Sequence, residues 1–210
     1  MNNNQEQLKK LFNILGELRQ EFNQLDKEAE NLNEIAMNAA VTAAQTGKSI
    51  RIYTEISNQI AYSSKKMKNF IEKSRFEINS IFNFTLKVLS SNSLDCKLSG
   101  AISIIKNKSN LNYLQKKSKA IELNWKSDIK KISNHIYPAK AILKCILQIQ
   151  YKLFGAYNSL IIESINLDGN QKTAISALSD NLNNSFESSI YCIEKLFLIL
   201  KKICRLIKSL

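Results

Sequence analysis

The sequence predicts an all-α protein: long antiparallel coiled-coil hairpins forming a four-helix bundle, either within one chain or by dimerisation. Five Gly and one Pro in 210 residues leave too little turn chemistry for a many-stranded sheet, whose hairpins need such residues at short intervals. Leu8, Leu11, Leu15, Leu18, Phe22, Leu25, Ala29, Leu32, Ala36, Ala39 and Ala43 recur in strict alternation of three and four residues, the spacing of an a/d seam. A comparable seam recurs in three later stretches, and a stripe that covers one side of a helix must be buried against another helix.

The first helix passes from Leu and Phe to Ala along its seam, so its second half is expected to approach its neighbour closely. Thr46-Gly47 ends it, since glycine leaves a helix through a left-handed conformation at little cost. The second seam is Tyr53, Ile56, Ile60, Ser63, Met67, Phe70, Ser74, Glu77, Ile81, Phe84 and Val88, which makes residues 1–90 one hairpin with its tip at Gly47. The polar, small residues Ser90 to Ser93 and Ser99-Gly100 predict a linker over 91–100. Residues 101–210 form a basic helical region. Its first helix carries Leu111, Leu114, Ile121, Trp125, Ile129 and Ile132, and Pro138 is expected in the first turn of the next. That helix has the seam Ile142, Ile146, Ile149, Leu153, Ala156 and Leu160. A second hairpin then turns at Gly169 into the seam Ile175, Leu178, Leu182, Ser185, Ser189, Cys192, Leu196, Ile199, Ile203, Leu206 and Leu210.

The net charge of +12 is unevenly spread along the chain: residues 1–100 contribute +2 and residues 101–210 contribute +10. Such a stretch attracts anionic lipid, acidic protein or nucleic acid, although a Lys, Asn and Ile excess is also what AT-rich coding produces. Nucleic acid is the least supported of these partners, because no recognition motif accompanies the charge. Trp125, which can stack on a base, is expected instead to anchor the core.

No phosphate loop, nucleophile elbow or paired metal ligands is present, and the single histidine, His135, has no partner set and is expected to be an exposed or capping residue. The chain is therefore expected to be non-enzymatic and free of cofactors and metal. Cys96, Cys145, Cys192 and Cys204 are scattered without a C-x-x-C pair, which fits a reducing compartment. The polar start, Met1 to Glu6, has no secretory pattern, and lysines interrupt the most apolar stretch, Ile193 to Leu210. A cytoplasmic protein is expected, with membrane association limited to its surface. Lys201, Lys202, Arg205 and Lys208 on the last helix are the candidate membrane-surface residues.

The segment from Glu34 to Tyr53 is the most specific in the chain. Ala36, Asn38, Ala39, Ala40, Ala43, Ala44, Gly47 and Arg51, with the conservative Met37, Val41 and Tyr53, make it resemble the signalling tip of methyl-accepting chemotaxis receptors. The match covers about 20 residues, and the heptad hairpin extends the similarity to about residue 90. Thr42, Gln45, Lys48, Ile50, Ile52, Gln59 and Ala61 depart from the family pattern and remove much of its charge. The resemblance implies a signalling protein whose tip contacts a chemotaxis coupling protein, a histidine kinase or chemoreceptors. Met37, Asn38, Ala40, Val41, Ala44, Gly47, Arg51, Tyr53 and Ile56 would form the contact surface. Methylation is not implied, since Gln20-Glu21 is the one candidate pair and lies in poor context. The alternative is a membrane-surface or structural bundle in which the tip is a relic.

Overall fold

A computed structural model of the chain describes residues 3–45, 50–105, 108–165, 167 and 169–210. Its described residues form four α-helices and no strand: α1 (Asn3–Gln45), α2 (Ile50–Ile102), α3 (Lys108–Ile165) and α4 (Gly169–Lys208). They pack against one another within one chain as a helical bundle. The chain resolves into two compact units, each drawing on all four helices. Unit 1 comprises residues 1–19, 76–140 and 198–210, and unit 2 comprises residues 20–75 and 141–197.

In unit 2 neighbouring helices run antiparallel. Ser57 Oγ donates to the Ala36 carbonyl and Ser64 Oγ to the Ala29 carbonyl, each at 2.7 Å. A serine hydroxyl reaches a neighbouring backbone only where the helices lie close, which the small Ala29 and Ala36 permit. Arg75 with Asp26 at 2.7 Å and Lys68 with Glu30 at 3.4 Å continue the same register on the outside. The rings of Phe154 and Phe186 stack at 5.2 Å between α3 and α4. Gln150 is fully buried and donates to Met67 Sδ at 3.0 Å between α3 and α2.

In unit 1 Phe12 of α1 lies against Phe82 of α2 at 5.6 Å, and Lys140 of α3 donates to Cys204 Sγ of α4 at 3.6 Å. Asp95 accepts from Ser118 between α2 and α3. His135, expected to be exposed or capping, is instead half-buried inside α3. Its Nδ1 lies 2.7 Å from Glu77 Oε2, and its ring stacks on Phe84 at 5.7 Å. Trp125 is buried, as expected of a core anchor.

The α1 seam from Leu8 to Ala39 is buried at every position, and the α4 seam is buried from Ile175 to Ile203. The α2 seam is only partly retained. Ile71, Ile78 and Thr85 are buried where Phe70, Glu77 and Phe84 were expected, and these three sit half-buried on the flank. The core thus meets α2 on the side of Ile71, Ile78 and Thr85 as well as along the retained row. A bundle helix also faces two neighbours, which widens its buried face.

Three expected boundaries are corrected. Residues 91–100 are not a linker but part of α2, which unwinds only at 103–105 through bonds from Ser103 and Ile105 back to Ser99 and Ala101. Pro138 lies inside α3 and starts no helix. The expected division into residues 1–90, 91–100 and 101–210 differs from the two units found, because both hairpins contribute to each unit. Gly169 has φ 60° at the start of α4, the left-handed conformation that a turn there requires. The expected tip at Gly47 lies outside the described residues, between the end of α1 and the start of α2.

Candidate functional site

The C-terminal turns of α1 and the start of α2 in unit 2 hold the sequence-predicted contact residues, and the structure sorts them into two groups. Met37 is 63% exposed and Val41 57%, and Asn38, Ala40 and Ala44 are exposed with them. Residues 37, 40, 41 and 44 are spaced at three and four, so they form one row on α1. The other face of the helix carries Leu32, Ile35, Ala36 and Ala39 into the core. Here α1 is apolar on both faces, and among the described residues only the inward face is buried.

The second group is interior. Tyr53 is 2% exposed and Ile56 is buried, so neither belongs to a contact surface, contrary to the expectation. They are buried positions near the start of α2 and contribute to the core at this end. Burial pushes the Tyr53 phenol up from its ordinary range, and the nearby Glu163 carboxylate adds to the shift. Gly47 and the side chain of Arg51 lie outside the described residues. The end of α3 adds Ile162 and Ile165, both well exposed, to the apolar surface of this unit.

A polar cleft lies beside the row. Glu28 is buried and accepts from Gln24 Nε2 at 3.1 Å, Asn31 Nδ2 at 3.3 Å, Ser185 Oγ at 3.3 Å and Ser188 Oγ at 2.8 Å. Four neutral donors satisfy a carboxylate that has no cation against it among the described contacts. Asn38, Glu34, Asn181 and Asn184 line the same cleft. Asn38 thus joins the contact row to a polar wall. Sequence reading missed Glu28 because Ser185 and Ser188 come from the far end of the chain. The available signal was a carboxylate directly beside the seam position Ala29.

Lys195 Nζ bridges to Glu21 Oε1 at 3.1 Å about two turns further along the same pair of helices. Burial, reinforced by the Glu21 and Glu28 carboxylates, pushes the Cys192 thiol up to about 11. A thiol so protonated is a poor nucleophile at neutral pH. Alkylation of the native protein at pH 8 is expected to modify the half-buried Cys96, Cys145 and Cys204 at least tenfold faster than Cys192. Peptide mass spectrometry after timed quenching reads this directly, and equal rates at all four thiols would contradict the burial of Cys192.

The candidate membrane-surface residues Lys201, Lys202, Arg205 and Lys208 are all exposed in unit 1. The apolar face of their helix is spent in the core, with Ile199, Leu200, Ile203 and Ile207 buried. A helix that lies in a membrane surface needs that face free, so α4 lacks the geometry expected of it. Lys202 and Arg205 instead rim a shallow depression with Lys10, beside Ile14 and Leu206.

The fold and this surface define an all-α helical bundle that presents an exposed apolar row beside a polar cleft. Among the described residues no group of three or more metal-ligating side chains comes together, and no helix is long and apolar enough to cross a membrane. No protein-family model, curated protein or solved structure matches the chain.

Proposed function

We propose that this protein is a non-enzymatic signalling component that acts by protein contact through the exposed α1 row Met37, Ala40, Val41 and Ala44, with Asn38 at its edge. The observation that carries the reading is the exposure of two large apolar side chains, Met37 and Val41, on the turns that resemble a chemoreceptor signalling tip. Exposed apolar side chains set among small residues suit a helix face that docks against another protein, where a few buried anchors supply most of the affinity. Tyr53 and Ile56 hold the row in place from inside.

By the resemblance, the partner is a chemotaxis coupling protein, a histidine kinase or a chemoreceptor, and the protein works in the cytoplasm. The polar cleft of Glu28 and Asn38 gives the contact an oriented rim. The test is a binding titration of the purified chain against the coupling protein and kinase of its own cell. The double variant Met37→Asp with Val41→Asp is expected to bind at least tenfold more weakly with helix content unchanged. Failure of the intact chain to bind either partner, or equal affinity of the double variant, would sink the reading.

A further inference from the structure

We propose that the α2–α3 end of unit 1 is a docking surface for anionic lipid bilayers: Lys116, Lys119 and Lys130 meet the headgroups while Ile104 and Leu123 enter the interfacial layer. Three observations lead there. The first is a gap in the core. Between Asn92 and Trp125 none of the described residues is buried, although the stretch contains ten large apolar side chains. Ile104 is 79% exposed and Leu123 62%, and Leu98, Ile102, Leu111 and Leu114 are only half-buried. The register explains why. Phe12 packs on Phe82 in an antiparallel pair, so the start of α1 falls opposite the Asn92 region and α2 and α3 continue beyond it uncovered.

The second observation is charge. The segments of unit 1 contain 18 Lys+Arg and 6 Asp+Glu, whereas those of unit 2 contain 12 of each. The whole net charge of +12 therefore sits in unit 1. Lys116, Lys119, Lys126 and Lys130 fall with Leu123 on the outward face of α3, at helical spacing and all exposed. Of the lysines in that row, Lys126 is paired with Glu122.

The third observation selects the occupant. A second copy would bring like charge against like charge at this surface. Nucleic acid is favoured by arginine forks and by aromatic rings free to stack. Unit 1 has two arginines, Arg19 and Arg205, both outside this hairpin end; Trp125 is buried, and the exposed ring here, Tyr113, already carries the Lys117 ammonium over its face at 5.7 Å. Lysines interleaved with protruding aliphatic side chains match an anionic interface, where the ammonium meets lipid phosphate and the aliphatic group displaces interfacial water. This surface uses none of the tip residues, so it stands independently of the proposed partner contact.

The test is flotation of the full chain with phosphatidylcholine vesicles carrying about 30% phosphatidylglycerol, at about 50 mM salt where screening is weak. Binding is expected to these vesicles and not to pure phosphatidylcholine. Each surface lysine is worth about fivefold, so Lys116→Gln with Lys119→Gln and Lys130→Gln is expected to weaken binding about 100-fold. Lys65→Gln with Lys66→Gln and Lys73→Gln removes the same charge from unit 2 and is expected to stay within about threefold of the intact chain. Ile104→Ser with Leu123→Ser is expected to lose about tenfold by removing apolar contact. No flotation of the intact chain, equal losses in the two lysine triples, or an unchanged apolar variant would each overturn the proposal. So would tighter binding to a duplex DNA than to the vesicles.

Discussion

Tyr53→Asp is expected to destabilise the protein by about 4–5 kcal/mol, while Val41→Asp changes its stability by less than about 1 kcal/mol. Sequence alone gives the two positions the same role, and the structure separates them. Tyr53 is 2% exposed near the start of α2, and a carboxyl there would occupy part of the ring's volume and leave a cavity. It would also be desolvated near Glu163, whose presence already helps raise the Tyr53 phenol, so the new acid would be held largely protonated at some further cost. Against a total stability of order 5–15 kcal/mol, such a loss lowers the thermal midpoint by about 10–15 °C. Val41 points to water, so its replacement meets only the unfavourable end of the α1 dipole. Thermal melts followed by circular dichroism at 222 nm measure both variants, with Tyr53→Phe as a near-neutral control. Similar melting of the two aspartate variants would place Tyr53 outside the core.

This difference matters for any test of the tip. A charged residue at Tyr53 would abolish partner binding by loosening unit 2, whatever the true contact surface. Met37 and Val41 are the positions where loss of binding reports on contact alone.

The helices were legible because burial imposes a period. In α1 the ten seam positions from Leu8 to Ala39 all face inward. In α2 the same template places Phe70, Glu77 and Phe84 inside, because a single seam takes no account of a second neighbouring helix, and Ile71, Ile78 and Thr85 are buried instead. The polar run Ser90 to Ser93 looked like a linker because serine and asparagine favour turns when considered alone. In the protein Asn92 is buried and the helix continues, since α3 supplies a partner for that face through the bond from Ser118 to Asp95. Long-range pairings leave no such trace. The seats of Glu28 on Ser185 and Ser188, and of Glu77 on His135, join residues far apart in sequence with no local pattern. The charge asymmetry was half-legible: it was assigned to the second half of the chain, and the fold gathers it from the termini and the middle into unit 1.

Pro138→Ala is expected to stabilise the protein by about 2 kcal/mol and raise its thermal midpoint by about 4–8 °C. A proline inside a helix lacks the amide that would bond the carbonyl four residues back, here that of Asn134, and its ring crowds that carbonyl, at a cost of about 3 kcal/mol relative to alanine. That cost is why the sequence suggests a helix start at this point. The helix runs through because Ile132, Ile136, Ala139 and Leu143, on either side of Pro138, are almost fully buried. Each buried Leu or Ile contributes about 1.5–3 kcal/mol, so keeping the seam in register outweighs one poor backbone position. Pro138 itself is exposed, which leaves the Asn134 carbonyl within reach of water and softens the penalty. Alanine restores the missing bond without touching a core contact. Urea unfolding of the variant beside the intact chain measures the gain, with the slope of the transition checked for constancy. A neutral or negative change would mean that the packing of Ile136 and Ala139 depends on a bend at Pro138, and that the seam of α3 is inward only because the helix is bent there.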